Sequence, residues 1–268
     1  MKLHTALTIA GSDCSGGAGI QADLKTMTVN GVYAMSVITA LTAQNTKGVN
    51  DILDIDPHFI QEQMDAVFTD IFPDAVKIGM LSNKEAMCVI AERLQHYQAR
   101  NIVVDPVMVA TSGSMLMKMD AVDTLKEKLL PMADLLTPNI NEAEVLWEHK
   151  IHTEKDMMKA AVEIHDTYGC AVLMKGGHRT DCADDLLYDN GHFVRYPQKK
   201  IANPNTHGTG CTLSSAIAAY LSLGCDMSTA VGKAKKYING AIAAMLDLGQ
   251  GHGPLHHAYN IKKEEENI

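Results

Sequence analysis

A chain of 268 residues with 46% hydrophobic and 21% charged side chains can build a sizeable core, which excludes wholesale disorder. Its formal net charge of −9 excludes a general nucleic-acid surface, which needs clustered Lys and Arg, but not a nucleotide pocket built from a few donors. The apolar runs are too short to span a bilayer, the six cysteines include no C-x-x-C pair, and there is no signal-peptide pattern, so the expectation is a reduced, cytoplasmic protein without membrane contact.

The first predicted strand covers 5–10 and runs into a glycine loop from Gly11 to Gly19. A helix follows from near 17 to about 30, then a returning apolar strand over 33–41. Strand, glycine loop, helix and strand make a βαβ unit. Further strands are predicted at 75–78, 101–105, 135–137 and 171–175, separated by helices at 57–69, 83–100, 121–130 and 154–168. Two short strands, 184–189 and 192–196, flank Asn190-Gly191, a hairpin signal. Two helices close the chain, 209–223 and 227–248, the latter with Ala230, Ala234, Ile238, Ile242 and Leu246 as a core stripe. No Pro-, Gly- or Ser-rich linker divides these elements. The expectation is one α/β domain over 1–268, a doubly wound, mostly parallel central sheet flanked by helices on both faces. Ligands of such sheets bind beyond the C-terminal strand ends.

Every motif with chemical content falls after a predicted strand. Asn205-Thr206-His207-Gly208-Thr209-Gly210-Cys211-Thr212-Leu213 is a glycine-broken loop entering a helix whose Leu213, Ile217 and Leu221 share one face. A helix N-terminus offers unpaired N–H groups, and Gly208 and Gly210 let a ligand approach them, which suits an anion hole; an ordinary N-terminal cap is the plainer reading. Cys211 sits in that mouth, where a helix N-terminus lowers a thiol pKa. The Gly11–Gly19 loop lacks the Walker A ending and the G-x-G-x-x-G order. It can wall a small-molecule pocket, with the Gly11 N–H and Asp23 as polar contacts, or form a tight turn. Asp105, before Pro106, can hold Mg²⁺ through water, orient a phosphate, or cap a turn. Asn139 and Glu142 share a face of a starting helix as oxygen ligands or as a capping box, and the two readings are compatible. Lys175, before Gly176-Gly177, can reach phosphates or snorkel to solvent. Gln44-Asn45 after the second strand suits a polar heteroaromatic ring, because an amide both donates and accepts. An anion hole, a carboxylate pair, a lysine and a separate pocket together match phosphoryl transfer.

The chain resembles the ribokinase-like superfamily, and within it the hydroxymethylpyrimidine/phosphomethylpyrimidine kinases. The resemblance lies in Ala6–Asp13, Ser15–Thr26, Val37–Leu41, Ala43–Thr46, Lys77–Leu81, Asp105–Met108, Thr137–Asn139 with Glu142-Ala143, Met174–His178 and Asn205–Leu213. It implies an ATP- and Mg²⁺-dependent kinase acting on 4-amino-5-hydroxymethyl-2-methylpyrimidine and then on its monophosphate, with a vitamin B6 (pyridoxal) kinase as the rival and a non-catalytic nucleotide-binding regulator as a further alternative. It also implies that Gln44 pairs with the pyrimidine edge and that Gly11, Ala18, Asp23, Met80 and Val107 line the pocket. Lys175, Thr209 and Asn139 would contact ATP, and Asp105 and Glu142 would serve Mg²⁺. Gly208, Gly210 and Cys211 would form the anion hole. Sugar kinases of the superfamily carry Asp where this chain has Cys211, so Cys211 is the implied base, in the form of a thiolate favoured by the helix. Gly16-Gly17 and Gly176-Gly177 are candidate hinges, and a homodimer is implied.

Overall fold

The computed structural model describes residues 3–108, 119–176, 184–198 and 200–261. Its strands are β1 (Thr5–Ala10), β2 (Tyr33–Ile38), β3 (Ala40–Asn45), β4 (Gly48–Asp54), β5 (Ala75–Ile78), β6 (Ile102–Val104), β7 (Leu135–Leu136), β8 (Ala171–Met174), β9 (Asp185–Asp189) and β10 (His192–Tyr196). Eight of them form one sheet in the order β10-β9-β8-β7-β6-β5-β1-β2, parallel from β8 to β2 and antiparallel at the β9 and β10 edge. Near-continuous apolar strands such as Ala-Leu-Thr-Ile-Ala are what a sheet covered on both faces requires.

Alternate strand residues serve opposite layers. Leu7, Ile9, Val76, Ile78 and Val104 pack with α2 (Pro57–Asp70), α3 (Lys84–Tyr97), α5 (Ile140–Trp147) and α6 (Glu154–Tyr168). Ala6, Ala75, Val103, Leu135 and Leu173 pack with α1 (Gly19–Val29), α7 (Thr209–Ser222) and α8 (Met227–Ala243). The helices start where polar caps tell them to. Asp56 accepts from the His58 N–H ahead of Pro57, Asn83 accepts from the Ala86 N–H, and Thr153 with Asp156 forms a capping box. Asn190 and Gly191, both at positive φ (45° and 83°), make the tight turn of the β9–β10 hairpin.

Three expectations are corrected. The strand predicted over 33–41 divides at Thr39. Its first part joins the main sheet as β2, and the rest becomes β3, which pairs with the unpredicted β4 in a separate antiparallel ribbon. Thr39 makes the change because its N–H goes to the Ala10 carbonyl while its own carbonyl accepts from Ile55. The helix predicted over 227–248 stops at Ala243. Met245 turns to positive φ, and the side-chain amides of Asn203 and Asn205 take the carbonyls of Ile242 and Leu246. The helix predicted over 121–130 is α4 (Met119–Thr124), followed by a wider π turn over Leu125–Leu129 and a 3₁₀ turn at Leu130–Met132, where Pro131 ends regular helix.

Strand order reverses between β1 and β5: the chain steps outward to β2 on one side and toward β6–β10 on the other. That reversal opens a crevice beyond the strand ends. The glycine loop after β1, Met80 after β5 and Asp105 after β6 all border it.

Candidate active site

A cavity of about 450 Å³ occupies this crevice. Its wall brings together most of the predicted residues: Gly11, Ala18, Gln44, Met80 and Val107, the charged set Asp105, Asn139, Glu142 and Lys175, and Gly208, Thr209, Gly210 and Cys211 at the N-terminus of α7. Of the hinge pairs, Gly177 lies outside the described residues.

The α7 terminus is shaped for close approach. Gly208 is its N-cap at φ 81°, and no side chain among the described residues caps this end. A Cβ on Gly208 would overlap the Gly17 carbonyl, so the two glycine loops touch backbone to backbone. At Gly210 a Cβ would stand 3.1 Å from Asp105 Oδ2 and 3.6 Å from Lys175 Nζ, so this glycine brings the helix end against the charged pair.

Lys175 Nζ donates to Asp105 Oδ1 at 2.7 Å and lies 3.8 Å from Glu142 Oε2. Burial alone would lower the Lys175 pKa, but Asp105 and Glu142 overrule it and hold the ammonium charged. Burial pushes Glu142 up to about 7, against the pull of Lys175 and helped by the Asp105 charge. Glu142 also completes a capping box with Asn139: Asn139 N–H donates to Glu142 Oε2 at 2.8 Å and Glu142 N–H to Asn139 Oδ1 at 3.0 Å. Structural and chemical readings of this pair therefore coexist. No group of three or more His, Cys, Asp or Glu side chains is placed to enclose a metal ion among the described residues. Two buried carboxylates sharing one ammonium do fit Mg²⁺, which characteristically takes one or two carboxylates and completes its shell with water and substrate phosphate.

The raised Glu142 carboxyl has a consequence for stability. Its folded pKa, about 7, exceeds its ordinary 4.5, so between these values the folded chain binds more proton than the unfolded one. Stability contributed by this group is present below 4.5 and is lost as pH rises through 7. Thermal unfolding of the ligand-free protein and of Glu142→Gln across that window checks this. The variant is expected to lose less stability with rising pH, and parallel curves would contradict the assignment.

Two expectations change at the atomic level. Asp23 does not border the cavity. It is fully buried on α1, where Oδ2 accepts from Lys77 Nζ and from Thr8 Oγ1, each at 2.7 Å, and Oδ1 has no partner among the described residues. Lys77, also fully buried, stays charged because Asp23 outweighs its desolvation. The Cys211 thiol is not lowered either: burial pushes it up to about 11 despite the Lys77 charge, and the Asp23 and Asp105 carboxylates add to the rise. Desolvation of a thiolate outweighs the Lys77 charge here.

Sequence reasoning missed Asp13 and His207. The Asp13 carboxylate accepts from the N–H groups of Ser15, Gly17 and Ala18 and the Ser15 hydroxyl, and His207 Nε2 lies 2.8 Å from its Oδ2. Burial would raise its pKa, but His207 and these donors hold it well below the usual carboxylate range. His207 Nε2 is also 3.2 Å from Gln44 Nε2, so the glycine loop, the β3–β4 ribbon and the α7 loop meet at this ring. The run Asp13-Cys14-Ser15-Gly16-Gly17 carried the available signal, an Asx-type turn.

A mostly parallel doubly wound sheet, a glycine-lined helix terminus at the strand ends and a buried lysine–carboxylate centre define a kinase of the ribokinase-like class. The family model described as phosphomethylpyrimidine kinase matches residues 13–256, and the chain belongs to that family. It is 50% identical to the hydroxymethylpyrimidine/phosphomethylpyrimidine kinase of Rhizobium meliloti over 97% of this chain and 98% of that protein. It is also 50% identical to the thiamine biosynthesis bifunctional protein ThiED of Geobacter sulfurreducens, covering 94% of this chain but spanning only 52% of that longer protein. Among solved structures, phosphomethylpyrimidine kinase from Clostridium difficile superposes with a TM-score of 0.82 at 48% identity, covering 89% of this chain and 99% of that one. The pyridoxal kinase from Staphylococcus aureus in complex with pyridoxal gives 0.87 at 33% identity, covering 98% and 97%. No helix among the described residues is long and apolar enough to cross a membrane.

Proposed function

We propose that this chain, acting as a single catalytic domain, transfers the terminal phosphoryl group of ATP to the hydroxymethyl oxygen of 4-amino-5-hydroxymethyl-2-methylpyrimidine, and then to the resulting monophosphate. The observation that carries this reading is the convergence of the α7 terminus on the Asp105–Lys175 pair, with Gln44 lining the same cavity beside His207. Gln44, through its amide, pairs with the amino and ring-nitrogen edge of the pyrimidine, while Gly11, Ala18, Met80 and Val107 enclose the ring. The N–H groups of Gly208, Gly210 and Cys211 and the Lys175 ammonium neutralise charge on the moving phosphoryl group. Lys175 moves from its carboxylates to phosphate oxygens, while Thr209 and Asn139 border the polyphosphate. Asp105 and Glu142 would hold Mg²⁺, which supplies further charge neutralisation when bound. Ile201, Ile238 and Ile242 offer the apolar wall for the nucleoside.

Cys211 enters as a neutral thiol beside the acceptor rather than as a standing thiolate. In a loose phosphoryl-transfer transition state the acceptor proton leaves late, so little base strength is needed. Cys211→Ser is expected to stay near the parent rate. Cys211→Ala should slow the first phosphorylation about tenfold, below the roughly 10²–10⁴ of a true general base, and the second step less. Separate rates for the two steps check this. A loss of about a hundredfold or more confined to the first step would restore a full base.

Turnover of the aminopyrimidine and of its monophosphate with ATP, followed by ³¹P NMR, tests the function, and no diphosphate product would reject it. The second reading, a pyridoxal kinase, draws on the match to the Staphylococcus aureus pyridoxal kinase, and the kcat/KM ratio of the two acceptors decides between them. The chain is further proposed to act in the cytoplasm as a homodimer. A two-stranded ribbon is marginal alone, and β3–β4 leaves the cross-strand pair Leu41 and Leu53 exposed at 42% and 64%. Sedimentation equilibrium should give a dimer that Leu53→Asp dissociates.

A further inference from the structure

Asp13 and His207 border the cavity with Gln44 but have no part in the transfer proposed above. His207 is held on several sides. Its backbone N–H donates to the Gly253 carbonyl at 3.1 Å. Its ring lies against Gly17, where a Cβ would overlap it, so that glycine makes the space the ring fills. Its Nε2 stands 2.8 Å from Asp13 Oδ2 and 3.2 Å from Gln44 Nε2. One ring nitrogen therefore faces a carboxylate and an amide at once.

That nitrogen cannot serve both in this arrangement. The Asp13 carboxylate already accepts from the N–H groups of Ser15, Gly17 and Ala18 and from the Ser15 hydroxyl. Surrounded by donors, it stays ionised and can only accept. His207 Nε2 must then carry a hydrogen and donate it to Oδ2, whether the ring is neutral or charged. A ring nitrogen that carries a hydrogen has no lone pair left for an amide N–H. The two ends of an amide are alike in size, so half a turn about the last side-chain bond of Gln44 removes the conflict. Oε1 then faces the His207 N–H, and the amide NH2 takes the other side.

We infer that His207, held by Asp13, is a specificity-determining positioning residue: it locks the Gln44 amide with its oxygen toward His207, so that the site takes a ring edge with an amine beside a bare ring nitrogen and rejects the reversed edge, a carbonyl beside a ring N–H. This rests on the reading that Gln44 meets the edge of the pyrimidine. An amide oxygen has two lone pairs. His207 engages one and the amine takes the other, while the amide N–H serves the ring nitrogen. A 4-oxo pyrimidine presents its donor and acceptor in the opposite order. An amide free to turn would serve either ring, whereas the locked one meets oxygen with oxygen and N–H with N–H. Asp13 acts through His207 rather than on the ring.

The kcat/KM of the full chain for the aminopyrimidine and for its 4-oxo analogue, read beside the ¹⁵N NMR of the His207 ring, tests this. The parent should prefer the aminopyrimidine by at least about a hundredfold, since two mismatched polar groups oppose the analogue. His207→Phe keeps a ring against Gly17 and removes the donor. It should shrink that preference about tenfold or more, the scale of one unpartnered polar group, with the change falling on the pyrimidine KM values and the ATP KM unmoved. His207→Gln can give an N–H to both Asp13 and Gln44 and should keep most of the preference. Asp13→Asn can donate to the ring and free Nε2 to accept, so it should lose preference as His207→Phe does. In the parent, the spectrum should show Nε2 carrying a hydrogen. An Nε2 without one overturns the inference with no variant needed, as does a folded His207→Phe with the parent's preference. Failure of the parent to phosphorylate the aminopyrimidine at all would instead overturn the substrate reading beneath it.

Discussion

Lys175→Met is expected to leave the protein folded and to lower kcat about a hundred- to a thousandfold, the cost of removing one preorganised donor from developing charge. The side chain runs from the end of β8 into the cavity, and the substitution preserves its apolar stem. What disappears is the ammonium between Asp105 Oδ1, 2.7 Å away, and Glu142 Oε2, 3.8 Å away. With it gone the two buried carboxylates repel each other directly, so Glu142, already pushed up to about 7, should take up a proton more readily. The variant should therefore lose kcat most severely above pH 7 and fall less in the acidic range. The pyrimidine KM should hardly move, because Gln44, Met80 and Val107 are untouched. Steady-state kinetics from pH 6 to 9 checks both parts. A rise confined to the pyrimidine KM, with kcat unchanged, would place Lys175 outside the transfer centre.

Gly208→Ala should damage both stability and rate. Gly208 holds φ 81°, which costs a residue with a side chain about 1–3 kcal/mol. The same Cβ overlaps the carbonyl of Gly17, a backbone atom that cannot swing aside. The start of α7 must shift to relieve this, and displacement of a catalytic group by about 1 Å costs roughly a hundredfold in rate. Gly224 provides the control: it has φ 83°, yet a Cβ there meets nothing within 4 Å among the described residues. Gly224→Ala should lose stability and keep its rate, whereas Gly208→Ala should lose both. Thermal melts with kcat for the two variants separate strain from geometry. Equal kinetic effects would remove the special role of the α7 terminus.

The contrast between these glycines also shows what the amino-acid sequence discloses. Gly208 and Gly210 could be read as an anion hole because strand, glycine loop and amphipathic helix follow in order. The parallel strands were legible for a similar reason, since a four-residue run such as Ala-Val-Lys-Ile or Ala-Val-Leu-Met between helical stretches has few other uses. Lys77 and Asp23 were not legible. Polar residues near strand and helix ends look alike whether they face a cavity or lie beneath it, and only the register of β1 against β5 brings Thr8 and Lys77 side by side under α1. The Cys211 thiol misled in the opposite sense. The helix terminus is written in the sequence, but the desolvation and the neighbouring carboxylates that raise the thiol come from packing. The β3–β4 ribbon was hidden because Thr39 interrupts an apolar run without any Gly or Pro to mark the break.

The central claim is that the phosphoryl group crosses between ATP and the hydroxymethyl oxygen at the start of α7. A crystal structure of the protein with the aminopyrimidine and a non-hydrolysable ATP analogue tests it most directly. The terminal phosphate should lie within hydrogen-bonding distance of the Gly208, Gly210 and Cys211 amides and Lys175, facing a hydroxymethyl group whose ring pairs with Gln44. A terminal phosphate bound away from those amides, or a pyrimidine seated beyond reach of it, would contradict the account.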